Sequence, residues 1–276
     1  MQSSDCVLFY LHKSILSLSS PFFGDMFSLP QPADGEVLDG LPMVRLSEDA
    51  EVLHNLVTIL YPIPSVIPDD YDKALALLAA SQKYDLEAVQ LTIRAEIKSQ
   101  NLHPSTAAAA FRAYGFASAQ GLTPETESTA RFTLDYPMTF ESMGNELSTL
   151  GGWALRDLAR FRRRCRDRLI LCLESLLDSH LPPSDIWVGC QNSPSGTFAW
   201  WLHMLLSQNI RKMRCTFTTG LLKPSSLRAE YLAALQSHVG QMGCAFCSKV
   251  HIMHGEAFCV QVEKMLADAL DDVSVL

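Results

Sequence analysis

The chain has 276 residues, 48% hydrophobic and 19% charged, which excludes wholesale disorder and suffices for one large core or two modest ones. The net charge of −8 is concentrated: six of the 22 basic residues but fourteen of the 30 acidic ones lie in residues 1–100, so that stretch carries the whole imbalance. Phosphate backbones are repelled by such a surface, which argues against nucleic acid as its main partner. No apolar run reaches the ~18 residues of a membrane span. Met1 to Asp5 contain no basic stretch leading into an apolar segment. The chain is expected in the cytoplasm or nucleus, with no membrane partner and with its 8 cysteines as thiols.

In chain order, Val7–Leu11 and Met43–Leu46 are β-prone runs, predicted as strands. Between them, Ile15, Leu16, Phe22, Phe23, Met26 and Phe27 recur at helical spacing. Pro21 interrupts that run. Proline fits the first turn of a helix and not its middle, so the spacing predicts two short helices broken at Ser19-Ser20-Pro21. Leu29 to Leu41 reads as a loop. Ser47 is a plausible N-cap for a helix carrying Val52, Leu53, Leu56, Val57 and Leu60. Tyr61 to Pro68 is a proline-rich connection, and helices follow over about 71–83 and 85–99. Thereafter only helical segments are predicted, over about 104–119, 140–149, 152–178, 197–214, 225–239 and 247–271.

His12, Lys13, Leu16, Ser20, Phe23, Met26 and Phe27 form H-K-x-x-L-x-x-x-S-x-x-F-x-x-M-F. The run Ala79 to Val89, centred on Tyr84, and the Leu60-Tyr61-Pro62 turn follow in order. This set resembles the signature of the BTB/POZ domain over roughly residues 5–99. The whole chain is similar to the BTB proteins abundant in mushroom-forming (basidiomycete) fungi. The resemblance implies an α+β, helix-dominated fold: a BTB/POZ-like domain over 1–100, then an all-helical region over 101–276. It also implies association with protein partners, either a second copy or another BTB protein, and no enzyme activity. His12 would be structural and not a base. The family's first strand lies before the position of Asp5, so it is expected to be missing, leaving its neighbour with an unpaired edge. Members that recruit a cullin ubiquitin ligase often carry a hydrophobic-x-acidic motif after the second hairpin helix. Leu29-Pro30-Gln31-Pro32-Ala33 lacks it, which counts against a substrate-adaptor role.

Three further groups carry candidate chemistry. Cys244, Cys247, His251 and His254 are metal-type residues, but on a continuous helix Cys244 and His254 stand ~15 Å apart along the axis. Zinc needs its four ligands within about 2.0–2.3 Å of one point, so these are read as packed helix residues, and neither metal nor cofactor is expected. Arg156, Arg160, Arg162, Arg163, Arg164, Arg166 and Arg168 lie on one predicted helix, whose apolar stripe runs through Leu155, Leu158, Phe161, Cys165, Leu169, Cys172 and Leu176. Burying the stripe leaves the arginines solvated or docked on an acidic surface; a nucleic-acid-associated regulator is the alternative. Trp200 and Trp201, with Trp187 nearby, are expected to place at least one ring in a core. No phosphate loop, G-x-G-x-x-G, H-E-x-x-H or G-x-S-x-G occurs.

Overall fold

A computed structural model describes residues 1–30, 37–38, 40–61, 68–148, 150–178, 198–215, 228–230, 232–233 and 259–275, with side chains left out at 147, 177–178 and 198–205. The chain divides into two compact units. The first comprises Met1–Ser105 with Gln120–Leu122, and the second Thr106–Ala119 with Thr123–Leu276.

In the first unit, α1 (Lys13–Ser19) and α2 (Pro21–Ser28) form the predicted hairpin. Pro21 sits at the first helical position of α2, where its missing N–H costs nothing. The two-residue strands β1 (Val37–Leu38) and β2 (Leu41–Pro42) pair antiparallel. Their turn uses Gly40 at φ +75°, a conformation open to glycine. Next come α3 (Ala50–Leu60), α4 (Tyr71–Lys83) and α5 (Glu87–Ser99). The cap of α3 is Asp49, which accepts from the Val52 N–H at 2.8 Å, and not Ser47 as expected. Asp5 adds a second carboxylate there, accepting from the Ala50 N–H at 2.9 Å. The cationic end of the helix dipole favours both.

The predicted strands at 7–11 and 43–46 appear only as isolated bridges, both made through Gln2. It pairs antiparallel with Leu8 and parallel with Arg45. The Phe9 N–H reaches the Met1 carbonyl, and the Gln2 N–H reaches the Val44 carbonyl, each at 2.8 Å. Residues 1–3 therefore occupy the edge of residues 7–9 that was expected to be unpaired. The predicted loop at 29–41 instead supplies part of the one regular hairpin among the described residues.

The second unit begins with α6 (Ala107–Ala119) and α7 (Thr123–Phe132), followed by a 3-10 turn at Thr133–Asp135. A short α8 (Phe140–Met143) passes into a 3-10 segment, Gly144–Ser148. The long α9 (Gly152–Asp178) and α10 (Phe198–Cys215) follow, and residues 259–271 form a last helix. The predicted segment at 140–149 is thus a turn of α-helix and a 3-10 run, and α7 answers to no predicted element. The core joins Phe111, Tyr114, Leu158, Phe161 and Cys165 to Val273 and Val275 from the chain's last residues. No described helix is long and apolar enough to cross a membrane.

Candidate interaction surfaces

The motif residues of the hairpin gather around Tyr84. Ser20 caps α2, accepting from the Phe23 N–H at 3.1 Å, and donates its own hydroxyl to the Tyr84 carbonyl at 2.6 Å. The Phe23 ring stacks on Tyr84 with centroids 5.2 Å apart, and Phe27 stacks on Phe23 at 6.2 Å. Leu16, Phe23, Ser20 and Tyr84 are buried, whereas Met26 and Phe27 are half-buried. Lys13 lies over the Phe27 ring at 5.4 Å. His12 is exposed; its backbone N–H donates to the Tyr61 hydroxyl at 2.9 Å, and its Nδ1 lies 3.2 Å from the same oxygen.

The backbone around Tyr84 explains why that residue can be reached. Asp85 takes a left-handed φ of 52°, the Leu86 N–H returns to the Ser81 carbonyl at 2.9 Å, and the Asp85 N–H returns to Gln82 at 3.1 Å. This paired return closes α4 and starts α5 within three residues. It presents the Tyr84 carbonyl to Ser20 and aims the phenol at Glu48. That hydroxyl donates to the Glu48 carboxylate, which also accepts from Lys83 Nζ at 2.8 Å. Burial, then the Glu48 carboxylate, pushes the Tyr84 phenol far up from its ordinary value. Burial alone would raise Glu48; the hydrogen bonds from Lys83 and Tyr84 outweigh it and hold the carboxyl below its usual range. The network ties residues 47–48 to the junction of α4 and α5.

Outside that core the first unit leaves apolar groups in water. Leu8, Tyr10, Leu38 and Leu41 are all exposed large side chains, and Val37 is 64% exposed. Leu8, Phe9, Tyr10, Leu38 and Leu41 line one cleft of about 250 Å³. Sequence reading placed residues 7–11 in a strand and missed the hairpin half of this face. Two-residue strands give no alternation to detect.

In the second unit the arginine helix departs from a uniformly solvated face. Leu158, Phe161, Cys165 and Leu169 are buried as predicted, while Leu155, Cys172 and Leu176 are half-buried. Arg162, however, is 5% exposed. Its guanidinium donates to the Thr133 carbonyl, to Thr133 Oγ1 at 3.2 Å and to the Tyr136 carbonyl at 2.7 Å. Arg164 is likewise committed, donating to the Ser274 and Val275 carbonyls at 2.5 and 3.2 Å. Arg131 of α7 takes the Leu270, Asp271 and Val273 carbonyls at 3.0–3.4 Å. The basic run is thus partly a structural clasp on carbonyls that end a helix. Burial pulls the Arg162 pKa down to about 10, and the Cys165 thiol is pushed up to about 11 by the same cause.

Cys244, Cys247, His251, His254 and Trp187 lie outside the described residues, and for Trp200 and Trp201 only the backbone of α10 is described.

The family model for the BTB/POZ domain matches residues 3–101, a little over a third of the chain. That span holds the Ser20–Tyr84 junction and the exposed apolar face. BTB/POZ domains are generally protein–protein interaction modules. The fold is accordingly α+β and helix-dominated, a BTB fold followed by a helical region. Neither a curated protein nor a solved structure matches the chain.

Proposed function

We propose that residues 1–100 are a non-catalytic association module, pairing with a second copy or with another BTB protein, and that residues 101–276 are a separate helical platform for a partner. The observation that carries this reading is the exposed apolar face at Leu8, Tyr10, Val37, Leu38 and Leu41 within the matched span. Isolated exposed leucines are ordinary, but Leu8, Tyr10, Leu38 and Leu41 line one cleft, with Val37 next to Leu38 in β1, and such a cluster is a recognition feature. The net negative charge of residues 1–100 favours solubility of the single chain without blocking contact through an apolar centre.

The His12, Lys13, Leu16, Ser20, Phe23, Met26, Phe27 and Tyr84 set has a structural role in this proposal, holding the hairpin that shapes the module. Such a module acts in the cytoplasm or nucleus and requires no cofactor.

Two differently tagged copies expressed together test the reading. Capture of one is expected to retain the other, and Leu41→Asp with Val37→Asp is expected to release it. Retention unaffected by both charges would refute the assignment of this face. Stoichiometric recovery of a cullin in the same capture would replace the reading with that of a ligase adaptor.

A further inference from the structure

The last described residues are held in the second unit by their backbone carbonyls. Arg131 of α7 donates to those of Leu270, Asp271 and Val273 at 3.0, 3.4 and 3.3 Å, and Arg164 of α9 to those of Ser274 and Val275 at 2.5 and 3.2 Å. Two guanidinium groups thus take five main-chain carbonyls. The side chains alternate: Val273 and Val275 are buried and share a core with Phe111, Tyr114 and Phe161, while Asp272 and Ser274 are exposed. That is the period of an extended chain with one face against a support. At the rim, Arg131 stands 3.9 Å from Asp271, and Arg168 stands 3.8 Å from Asp272.

These are the parts of a polypeptide-recognition site. Main-chain contacts supply the hold whatever the sequence, and places for alternate side chains supply the selectivity. Here the two apolar places take valine, and the cationic rim complements the acidic residues just before them. Each hydrogen bond from Arg131 and Arg164 spans 110 to 142 positions of the chain. The seat is therefore built by α7 and α9, and residues 270–275 reach it as a ligand does. A separate polypeptide with the same pattern presents the same atoms. A second copy of the chain fits less well as the occupant. Exchanging one segment for its twin gains no contact, and each copy's own segment is favoured by its high effective concentration.

We infer that α7 and α9 form a binding site for an extended partner segment, one with acidic residues followed by two branched apolar residues in alternation. Residues 270–275 fill that site in cis as a built-in competitor. The inference rests on the reading of residues 101–276 as a partner platform and names the chemistry of that partner. The partner engages by displacing residues 270–275, so its binding and the loosening of the helix over 259–271 are one event.

The test uses the full chain and a fluorescent peptide of residues 268–275, capped at both ends and followed by anisotropy. Val273→Asp/Val275→Asp expels the resident segment, and this variant should bind the peptide saturably. The wild-type chain, with its seat filled, should bind about tenfold more weakly or worse. Adding Arg131→Gln and Arg164→Gln to the vacated variant should weaken binding by about tenfold or more, because the charged donors are lost. A peptide carrying Val273→Asp and Val275→Asp should not bind. The wild-type chain supplies a reading that no misfolded variant can spoil: saturating peptide should speed amide exchange over residues 259–271. No binding to the vacated variant, with wild-type exchange unchanged, overturns the inference. So does equal binding of the substituted peptide, or affinity indifferent to the two arginines. Capture of another protein through residues 101–276 in that case keeps the platform reading and removes only this site. Self-association of the Leu41→Asp chain that the peptide abolishes would assign the site to a second copy and overturn the choice of partner.

Discussion

The Ser20 hydroxyl donates to the carbonyl of Tyr84, 64 residues further along, at 2.6 Å, while the same oxygen accepts from the Phe23 N–H at 3.1 Å. One side chain therefore both caps α2 and fastens the hairpin to the junction of α4 and α5. A serine that is wholly buried is tolerable only because its donor and acceptor are both used. Ser20→Ala removes a cap worth about 1 kcal/mol and leaves a buried carbonyl short of a donor, costing about 1–3 kcal/mol more. Amide hydrogen exchange over residues 13–28 should accelerate correspondingly, with exchange in α6 and α9 unchanged.

Glu48 makes this fastening sensitive to acid. Its carboxyl is depressed in the folded chain below the ordinary 4.5. A depressed acid contributes its stability above the unfolded value and loses it as the pH falls through the folded one. The tie between residues 47–48 and Tyr84 should hold above about pH 4.5 and weaken progressively below it. Glu48→Gln should lower stability of the first unit by about 1–3 kcal/mol at neutral pH and flatten the acid limb. Denaturation profiles read by tyrosine absorbance at several pH values compare the two proteins.

Arg162 should behave unlike its neighbours. Arg162→Ala strips donors from the Thr133 and Tyr136 carbonyls and opens a void, costing about 3 kcal/mol or more. Arg160 is 68% exposed at its side chain, and Arg160→Ala should stay within about 0.5 kcal/mol. All four tryptophans lie after residue 105. Tryptophan fluorescence in urea therefore reads the second unit directly.

The last described residues are part of that unit's core. Val273 and Val275 are 7% and 5% exposed, and the Ser274 hydroxyl donates to Glu127 Oε1 at 2.7 Å. Val273→Ala should cost about 1.5–2.5 kcal/mol from lost methyl burial and the residual cavity. Val273→Asp should release the helix over 259–271, seen as faster exchange there and a lower urea midpoint. Ser274→Ala removes the exposed hydroxyl contact to Glu127 and should change little.

The helix expected over about 71–83 coincides with α4, and Pro21 placed the hairpin break at Ser20, inside the expected Ser19-Ser20-Pro21. α7 escaped because its buried face is Glu125, Thr126, Thr129 and Ala130, which no hydrophobic period reveals. The strands expected at 7–11 and 43–46 are reduced to single bridges at Leu8 and Arg45, because the partner of both is Gln2, a polar residue with no strand signal. Charge misled at Arg162, since sequence alone does not show that the carbonyls of Thr133 and Tyr136, 29 and 26 residues earlier, come within reach and draw the guanidinium inward. The motif around His12, Ser20 and Tyr84 was visible as a pattern; the exposed face beside it was not, because it joins a bridge and a two-residue hairpin.

The claim that residues 1–100 associate through their exposed apolar face is tested most directly by sedimentation velocity of the full chain over a hundredfold concentration range. The account predicts a species of about twice 30.6 kDa that returns to 30.6 kDa in Leu41→Asp, with the helical signal unchanged. A wild-type chain that stays at 30.6 kDa throughout and also fails to bind any other BTB domain would contradict it. So would an associated species that Leu41→Asp leaves intact.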